Sequence, residues 1–240
     1  MITCFVPSFN EEENIADTVA SIMTASNTTN VPVEILAVVD GGNDSTEMIL
    51  NELAKSTPEV RVVVNKTNMG LGYSFRKALK LSKGDKFLIV PGDNDMSVDL
   101  LTDLFANSNR AELIMAYFLN RETRGIRRNI ISNVFASIYM ITFRVFVIYI
   151  NGPCIYPKEK LLSLDLKSNR FSIVVEATIK LLKLGCSYYE VPGYMQKGLA
   201  GSSSLSFRNL AEVIRSYLRL FFEVNLKFKN RYSKSPQRIY

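Results

Sequence analysis

Four short apolar runs recur through the first half of the chain, and each is followed by a segment of helical length. The runs are ITCFV at 2–6, VEILAVV at 33–39, VRVVV at 60–64 and KFLIV at 86–90. Short runs rich in β-branched residues are typical of strands that are buried on both faces. The segments between them carry apolar residues at helical spacing. This alternation predicts βαβ units around a mostly parallel sheet flanked by helices, an α/β fold.

Polar residues follow each of the four predicted strands. These stretches are PSFNEEEN at 7–14, DGGNDST at 40–46, NKTNMGLG at 65–72 and DND at 93–95. Any one of them alone could be a turn or a helix cap. Ligands of parallel sheets bind outside the carboxyl ends of the strands, where all four stretches are expected to lie. Their coincidence at successive strand ends favours one binding site.

Asp93 and Asp95 form the most specific pair in these stretches. The chain has no histidine, so any metal bound here would have oxygen ligands. Carboxylate oxygens are the ligands that Mg²⁺ and Mn²⁺ prefer. If the segment is extended, side chains at i and i+2 point the same way and reach one site. The pair therefore predicts a divalent metal site, with a solvated turn as the alternative interpretation.

A long apolar run in the second half, residues 129–150, contains one charge, Arg144. It is long enough to span a bilayer, but Arg144 and several polar side chains interrupt it. The run favours a single helix that lies in the membrane interface or in a dimer contact. After it, residues 171–185 predict a helix closed by Gly185, and residues 187–192 a short strand.

The C-terminal residues carry all of the net charge. Residues 208–240 contain eight Lys or Arg and two Glu, a balance of +6, which equals the formal charge of the whole chain. An amphipathic helix is predicted at about 207–228, followed by a polar tail. A basic amphipathic segment of this kind predicts an anionic membrane surface as partner. No nucleic-acid partner is expected, because no element that would read bases is present. Three scattered cysteines and no signal peptide favour a cytoplasmic setting.

The order and spacing of the motifs carry a resemblance to a known family. FVPSFNEEENI, VVDGGNDST, NMGLGYSFRKAL and PGDNDMS resemble the nucleotide-sugar-binding half of family 2 glycosyltransferases, which have the GT-A fold. Residues 171–205 resemble the later region of the dolichyl-phosphate mannosyltransferase branch. The resemblance implies a GT-A domain at 1–207, with a donor half at 1–117, an acceptor half at 118–207, and an appended basic helix and tail at 208–240.

The resemblance also implies a role for each matched residue. Nucleotide binding falls to Pro7, Asn10, Glu11, Asp40, Gly70 and Asp93; the metal, Mg²⁺ or Mn²⁺, to Asp93 and Asp95; the acceptor phosphate to Arg128, Ser132 and Lys197. Asp95 and Arg128 are the implied catalytic residues. The chain departs from the family pattern at four positions, where Phe9 replaces a tyrosine, Val39 an acid, Ser97 a glutamine and Ser204 a lysine.

The class of acceptor is predicted from the absence of a carboxylate that could act as general base. Relatives that glycosylate a sugar hydroxyl use a carboxylate, but INGPCIYPKEK at 150–160 has no acid before Glu159. A hydroxyl acceptor needs a base, whereas a phosphate is already ionised and needs cations to hold it. We therefore expect an inverting, metal-dependent enzyme that moves a hexose from a GDP- or UDP-sugar to a polyprenyl phosphate. It would act peripherally on the cytoplasmic face of a membrane, with residues 129–150 contacting the membrane or a second copy.

Two alternatives stay open at this point. One is a glycosyltransferase that acts on a sugar hydroxyl in surface polysaccharide synthesis. The other is a catalytically inactive homologue that binds nucleotide sugars, which the substitutions at Val39, Ser97 and Ser204 would permit.

Overall fold

An eight-stranded sheet forms the centre of the protein. A computed structural model describes residues 1–120, 126–194, 196 and 207–240, with all side chains in these ranges except those of 126–129, 131 and 207–210. The strands are β1 Ile2–Ser8, β2 Val33–Asp40, β3 Val60–Asn65, β4 Lys86–Ile89, β5 Leu113–Phe118, β6 Cys154–Pro157, β7 Ser187–Gly193 and β8 Gln237–Arg238. The helices are α1 Ile15–Thr29, α2 Thr46–Ser56, α3 Leu71–Leu81, α4 Val98–Ala106, α5 Ile126–Phe143, α6 Lys158–Leu162, α7 Ser172–Lys183 and α8 Phe207–Phe222.

The mostly parallel sheet predicted from the sequence is confirmed. Its strand order is β3-β2-β1-β4-β6-β5-β7-β8, and β6 alone among these runs antiparallel to its neighbours. Alternate side chains of the central strands enter two apolar layers. One layer packs under α1, α2 and α4, and the other under α3, α5, α7 and α8. Phe5, Phe75 and Phe87 meet in the second layer with ring centroids 5.2–6.1 Å apart.

The prediction of one apolar helix over 129–150 is wrong. α5 ends at Phe143, because Arg144 takes a left-handed conformation with φ 53°. The Val145 N–H then donates to Met140 O and the Arg144 N–H to Ile141 O, which is the Schellman pattern of a helix end. Residues 145–150 continue with alternating burial, inward at the odd positions and outward at Phe146 and Ile148. A continuous apolar run hid this change of period.

No helix in the described part of the chain combines the length and hydropathy needed to cross a membrane. α5 nevertheless exposes one row of apolar side chains while it buries another. The exposed row consists of Ile130, Val134, Ile138 and Ile141, each between 46% and 70% exposed. The spacing of four, four and three residues places these side chains along one side of the helix.

α8 is apolar on two faces, one buried and one exposed, whereas an amphipathic helix has a single apolar face. Its inner face buries Leu220 and continues into a π-helical turn, Glu223–Lys227, where Glu223 and Val224 are buried. Tyr217 joins α8 to α5, since its hydroxyl lies 2.8 Å from Thr142 Oγ1. The outer face exposes Ile214, Leu218, Phe221 and Phe222.

The C-terminal residues are part of the folded body, so their interpretation as a trailing tail is wrong. β8 pairs in parallel with β7, and the Ile239 N–H donates to Tyr188 O at 2.8 Å. Tyr232 is 4% exposed. The Lys234 side chain packs against Gly185, the φ +85° residue that closes α7 as expected. These contacts tie the polar C-terminal residues to the edge of the sheet.

One buried carboxylate, Glu190 on β7, links β8 to the segment after α5. Its Oε1 accepts a hydrogen bond from the Ile148 N–H at 2.5 Å. Its Oε2 lies 2.9 Å from Arg238 Nη2, although the two groups are not aligned as a hydrogen bond. The side chain is 3% exposed, and burial raises the pKa of Glu190 while Arg238 opposes that rise.

Arg238→Ala should therefore destabilise the protein by about 1–2 kcal/mol, because it leaves a buried carboxylate without its cation. When the folded pKa of an acid lies above its unfolded pKa, the protein loses stability as pH rises from the unfolded value to the folded value, and the cost is complete above the folded value. The deficit measured by urea unfolding should be larger at neutral pH than in mild acid, where Glu190 is protonated. Lys229→Ala, an exposed change in the same segment, is the control. Equal deficits at both pH values would contradict this account.

Candidate active site

The sheet opens a crevice between β1 and β4, where the strand order reverses. β4 pairs with β1 as far as Phe5, whereas β1 continues beside β2 to Ser8. Pro7, half-buried, stands in this overhang, where its lack of an N–H leaves no ladder bond unmade on the β4 side. Such a reversal point is where parallel α/β sheets bind their ligands.

The loops after β1 and β2 hold each other in place. The Glu11 N–H donates to Thr46 Oγ1 at 2.8 Å, and the Asn43 N–H donates to Asn10 Oδ1 at 3.2 Å. A Cβ on Gly42 would lie 2.6 Å from Asn10 Oδ1, so this position needs glycine. Asn10 itself has φ 57° and is exposed. The first two polar stretches thus form one structural unit.

The loop after β4 lies against this unit through Gly92. A Cβ there would lie 3.1 Å from Pro7 O and 3.3 Å from Glu11 Cγ, and Gly92 O accepts the Thr18 hydroxyl at 3.0 Å. This close approach carries the following residues, Asp93 to Asp95, to the side of Glu11. A larger residue here would require Pro7 and Glu11 to shift by a few tenths of an ångström, so glycine favours this close approach.

Asp93 to Asp95 are not extended; they form a turn, which is the conformation of the alternative interpretation. Asn94 has φ 55°, and its Oδ1 accepts the Ser21 hydroxyl at 3.3 Å. The Asp95 N–H turns back to Asp93 Oδ1 at 3.3 Å. Asparagine tolerates the left-handed region better than most residues, which explains its place between the two acids.

Four carboxylates from three loops form an acidic group at the crevice: Glu11, Asp44, Asp93 and Asp95. Burial and, to a smaller extent, the charges of Asp93, Asp44 and Asp95 together raise the pKa of the Glu11 carboxyl from 4.5 to about 7. Asp44 was not predicted as a site residue. Its position three residues after the Gly41–Gly42 turn was the available signal, but it reads equally well as a helix cap.

The acidic group fits a divalent cation by its chemistry. Its donors are hard oxygens, and their mutual repulsion is the kind that a bound cation relieves. Among the described residues, no three His, Cys, Asp or Glu side chains are arranged as a preformed metal site. A cation bridging a diphosphate needs few protein ligands, since phosphate oxygens and water supply the others.

Asp40 ends β2 and is 6% exposed. Its Oδ1 accepts from Asn65 Nδ2 at 2.7 Å and from the Met69 N–H at 3.0 Å, and its Oδ2 accepts from the Gly70 N–H at 2.7 Å. The third polar stretch is thereby fixed to the end of β2. The part of Asn65 in this arrangement was missed from the sequence, because a hydrogen-bond partner 25 positions away leaves no local pattern.

A cleft of about 290 Å³ opens beside the acidic group, between the ends of β2 and β3; it is lined by Val39, Gly41, Gly42, Asp44, Glu47, Val64, Asn65 and Lys66. A larger cleft of about 470 Å³ lies at the opposite edge of the sheet, near Asp85 and Lys86 at the start of β4. The smaller cleft is the one that adjoins the predicted site residues.

The acceptor residues are described less fully. Ser132 lies half-buried on α5. Arg128 belongs to the first part of α5, but its side chain lies outside the described part of the chain, and so does Lys197. Their roles in holding a phosphate stay predictions.

Comparison with known proteins places the chain in a family. The model for Glycosyl transferase family 2 matches residues 3–165, which include all four strand-end stretches. The chain belongs to this family.

Two curated relatives illustrate the similarity. The chain is 31% identical over 107 residues to a dolichyl-phosphate beta-glucosyltransferase of Trichomonas vaginalis, covering 42% of the chain and 32% of the relative. It is 29% identical over 125 residues to a prophage bactoprenol glucosyl transferase homolog of Escherichia coli, covering 52% of the chain and 41% of the relative. The matched part of the chain thus spans well under half the length of either relative.

Solved structures establish the fold of this family member as GT-A. Glucosyl-3-phosphoglycerate synthase from Mycobacterium tuberculosis, crystallised with Mn²⁺, UDP and phosphoglyceric acid, superposes with a TM-score of 0.67 at 19% identity, covering 92% of this chain and 78% of that one. Mannosyl-3-phosphoglycerate synthase from Rubrobacter xylanophilus superposes with a TM-score of 0.71 at 18% identity, covering 95% and 75%.

The raised pKa of Glu11 predicts how stability depends on pH without metal. The folded protein holds a proton that the unfolded chain releases near pH 4.5, so stability should fall between pH 4.5 and about 7. Glu11→Gln should flatten this part of the profile measured by urea unfolding. Glu13→Gln, exposed in the same loop, should keep the wild-type slope. A Glu11→Gln profile as steep as the wild type would refute the assignment.

Proposed function

We propose that this family 2 glycosyltransferase transfers a hexose from a nucleotide sugar to a polyprenyl phosphate, with inversion and with a divalent cation. The acidic group of Glu11, Asp44, Asp93 and Asp95 is the observation that carries the donor half of this proposal. It lies at the point where the strand order reverses, beside a cleft of about 290 Å³. A cleft of that size accommodates a nucleoside, and the carboxylates adjoin the place where its diphosphate would lie.

Each site residue has a part in the donor half. Asp93 and Asp95 would hold the cation, which supplies charge neutralisation for the departing nucleoside diphosphate when it is bound. Pro7, near the end of β1, and Asn10, in the loop after it, would contact the nucleotide from outside that cleft, since they are not among its lining residues. Glu11 would exchange its proton for the nearby cation, since its raised pKa leaves it close to half-protonated near neutral pH.

The positions of the acidic residues in the second half of the chain favour a phosphate acceptor over a hydroxyl acceptor. Glu159 is the first acid after the 150–153 turn, and it lies beyond the end of β6. Pro157, at that end of β6, pairs with Lys86 at the start of β4. Glu159 therefore lies at the edge of the sheet opposite the acidic group. The described residues that follow β5 and β7 at the crevice edge, at 119–120, 194 and 196, include no carboxylate. An ionised phosphate needs no base, and Arg128, Ser132 and Lys197 would hold it.

The names of the relatives point in the same direction, since two of them act on dolichyl phosphate or bactoprenol. The donor of this chain, a GDP- or UDP-hexose, is part of the proposal. A second candidate function is transfer to a sugar hydroxyl. It would need a carboxylate from the acceptor side, and the described residues give it less support than they give a phosphate acceptor.

A lipid acceptor requires contact with a membrane, and the outer rows of α5 and α8 suit that contact. The two helices are joined through Tyr217, and each exposes apolar side chains such as Ile138 and Leu218. Exposed cations on α8 and beyond it, Arg215 and Lys227, would attract anionic lipids at about 1 kcal/mol each. We propose peripheral attachment at the cytoplasmic face through this surface, in preference to a homodimer.

Asp95→Ala tests the donor site. The variant should lose at least about a hundredfold in hexose transfer, because removing a charge-stabilising ligand of the transferring group has effects of that size. In the wild type, Mn²⁺ with a nucleoside diphosphate at about 100 Kd should stabilise the fold by roughly 2.7 kcal/mol, and the variant should lose that gain. Asp103→Ala, an exposed acid on the following helix, is the control. Normal transfer by Asp95→Ala would overturn the assignment.

The membrane contact is tested with anionic liposomes. The wild type should pellet with them at low salt and be partly released at high salt, since salt screens the cationic part and leaves the apolar part. Ile214→Glu combined with Leu218→Glu should abolish pelleting, because both side chains lie on the outer face of α8. Met48→Glu, a change of the same kind on α2, should have no effect. Pelleting of the double variant at the wild-type level would refute this surface.

A further inference from the structure

The entrance to α3, Met69–Gly72, is gripped on one side by Asp40. The Met69 and Gly70 N–H groups both donate to its carboxylate, at 3.0 and 2.7 Å, and Asn65 Nδ2 is a third donor at 2.7 Å. A carboxylate offers about four acceptor positions. Three of those on Asp40 are therefore taken by the chain itself, two of them by backbone groups that would otherwise lack a partner.

The other side of the same segment lies against residues 168–169. The Gly72 N–H donates to Asn169 O at 2.9 Å, and Arg76 Nη1 donates to Ser168 O at 2.6 Å. A Cβ on Gly72 would lie 2.1 Å from Ser168 O, so the glycine permits this contact. The amides of Met69, Gly70 and Gly72 are all bonded within the chain. They do not form the open phosphate cradle that two glycines before a helix would suggest.

The contact at 168–169 is itself anchored by a buried carboxylate. Glu176 on α7 accepts the Ser168 N–H at 2.8 Å and is paired with Lys180 at 2.7 Å. Both of these side chains are nearly inaccessible to solvent. Met69–Gly72 is therefore held by fixed hydrogen-bond partners on both sides, and Asp40 is the partner nearer the cleft.

Asp40 does not line that cleft, although its neighbours do. Val39 before it and Asn65 and Lys66 across from it are among the lining residues. Asn65 is positioned by Asp40 and also by Lys77, whose Nζ lies 2.7 Å from Asn65 Oδ1. The shape of the cleft on the β3 side thus depends on the hydrogen bonds that Asp40 accepts.

We infer that Asp40 is a positioning residue, which holds Asn65, a lining residue of the nucleoside cleft, together with the loop that continues from it to Gly70, and does not itself read the base. This role, which rests on the proposed function, differs from direct contact with the base or ribose. A residue that shapes the wall affects every nucleotide alike, whereas a residue that reads the base changes which nucleotide is preferred.

The test compares Asp40→Asn with Glu34→Gln. Glu34 is a buried carboxylate at the other end of β2 that also accepts a backbone N–H, from Lys83 at 2.7 Å. In Asp40→Asn one carboxylate oxygen becomes an NH2 group, so either the Met69 N–H or the Gly70 N–H faces a donor, and the other keeps only a neutral acceptor. We expect amide hydrogen exchange at Met69 and Gly70 to accelerate, by about tenfold or more at the amide that faces the NH2 group, because both part-buried N–H groups lose their charged acceptor. Glu34→Gln should leave both amides as slow as in the wild type.

The second measurement is affinity for UDP, GDP, CDP and ADP with Mn²⁺. Asp40→Asn should weaken every nucleoside diphosphate that the wild type binds by a common factor of about ten, with the order of preference unchanged. Asp40→Glu, which keeps both acceptor oxygens, should recover part of the affinity and part of the slow exchange. If Asp40→Asn does not fold, the exchange rates and affinities of Asp40→Glu test the inference in its place.

Three outcomes would overturn the inference. A changed order of preference in Asp40→Asn would show that Asp40 reads the base. Unchanged affinities together with accelerated exchange would show that the loop position does not matter for binding. Unaltered exchange in Asp40→Asn would show that Asp40 does not hold the loop. If the wild type binds none of the four nucleotides, it is the proposed function that fails.

Discussion

Buried carboxylates that accept backbone N–H groups hold the loops of this fold in place. Asp40 fixes the entrance to α3, Glu176 fixes residues 167–168, and Glu190 fixes the segment after α5. Each of them satisfies donors that a loop leaving a helix or strand would otherwise bury without partners. The loops at the crevice are long and rich in glycine, so their conformations depend on these side chains more than on local propensity.

The carboxylates of the acidic group at the crevice interact with one another. Their charges repel, and burial together with the three neighbouring charges raises the pKa of Glu11 to about 7. Because the loops are fixed by other residues, this repulsion is held in the folded state and is not relieved by movement. The same arrangement that costs stability without a cation provides a place where a cation and a diphosphate would be bound.

The parts that could be predicted from the sequence are those with a local pattern. The first four strands were predicted because short β-branched runs alternate with helical segments, and the site edge followed from the polar residues after each run. The helix end at Arg144 was missed because 129–150 is apolar throughout and conceals a change of period. The turn at Asn94 and the strand at Gln237–Arg238 were missed because each is set by distant contacts, with Ser21 for the turn and with β7 for the strand. Asp44 and Asn65 depend on similar long-range partners.

The pairing of β8 with β7 has a consequence for the order of folding. β7 is complete at Gly193, but Gln237–Arg238, which pairs with its first two residues, Ser187 and Tyr188, comes far later in the chain. During synthesis, the N-terminal strands can assemble while the edge of β7 still presents unpaired N–H and C=O groups. Parallel pairing between strands distant in sequence forms slowly, because a long loop must close first. A nascent chain paused before β8 would therefore expose an open sheet edge, the feature most prone to pair with another copy.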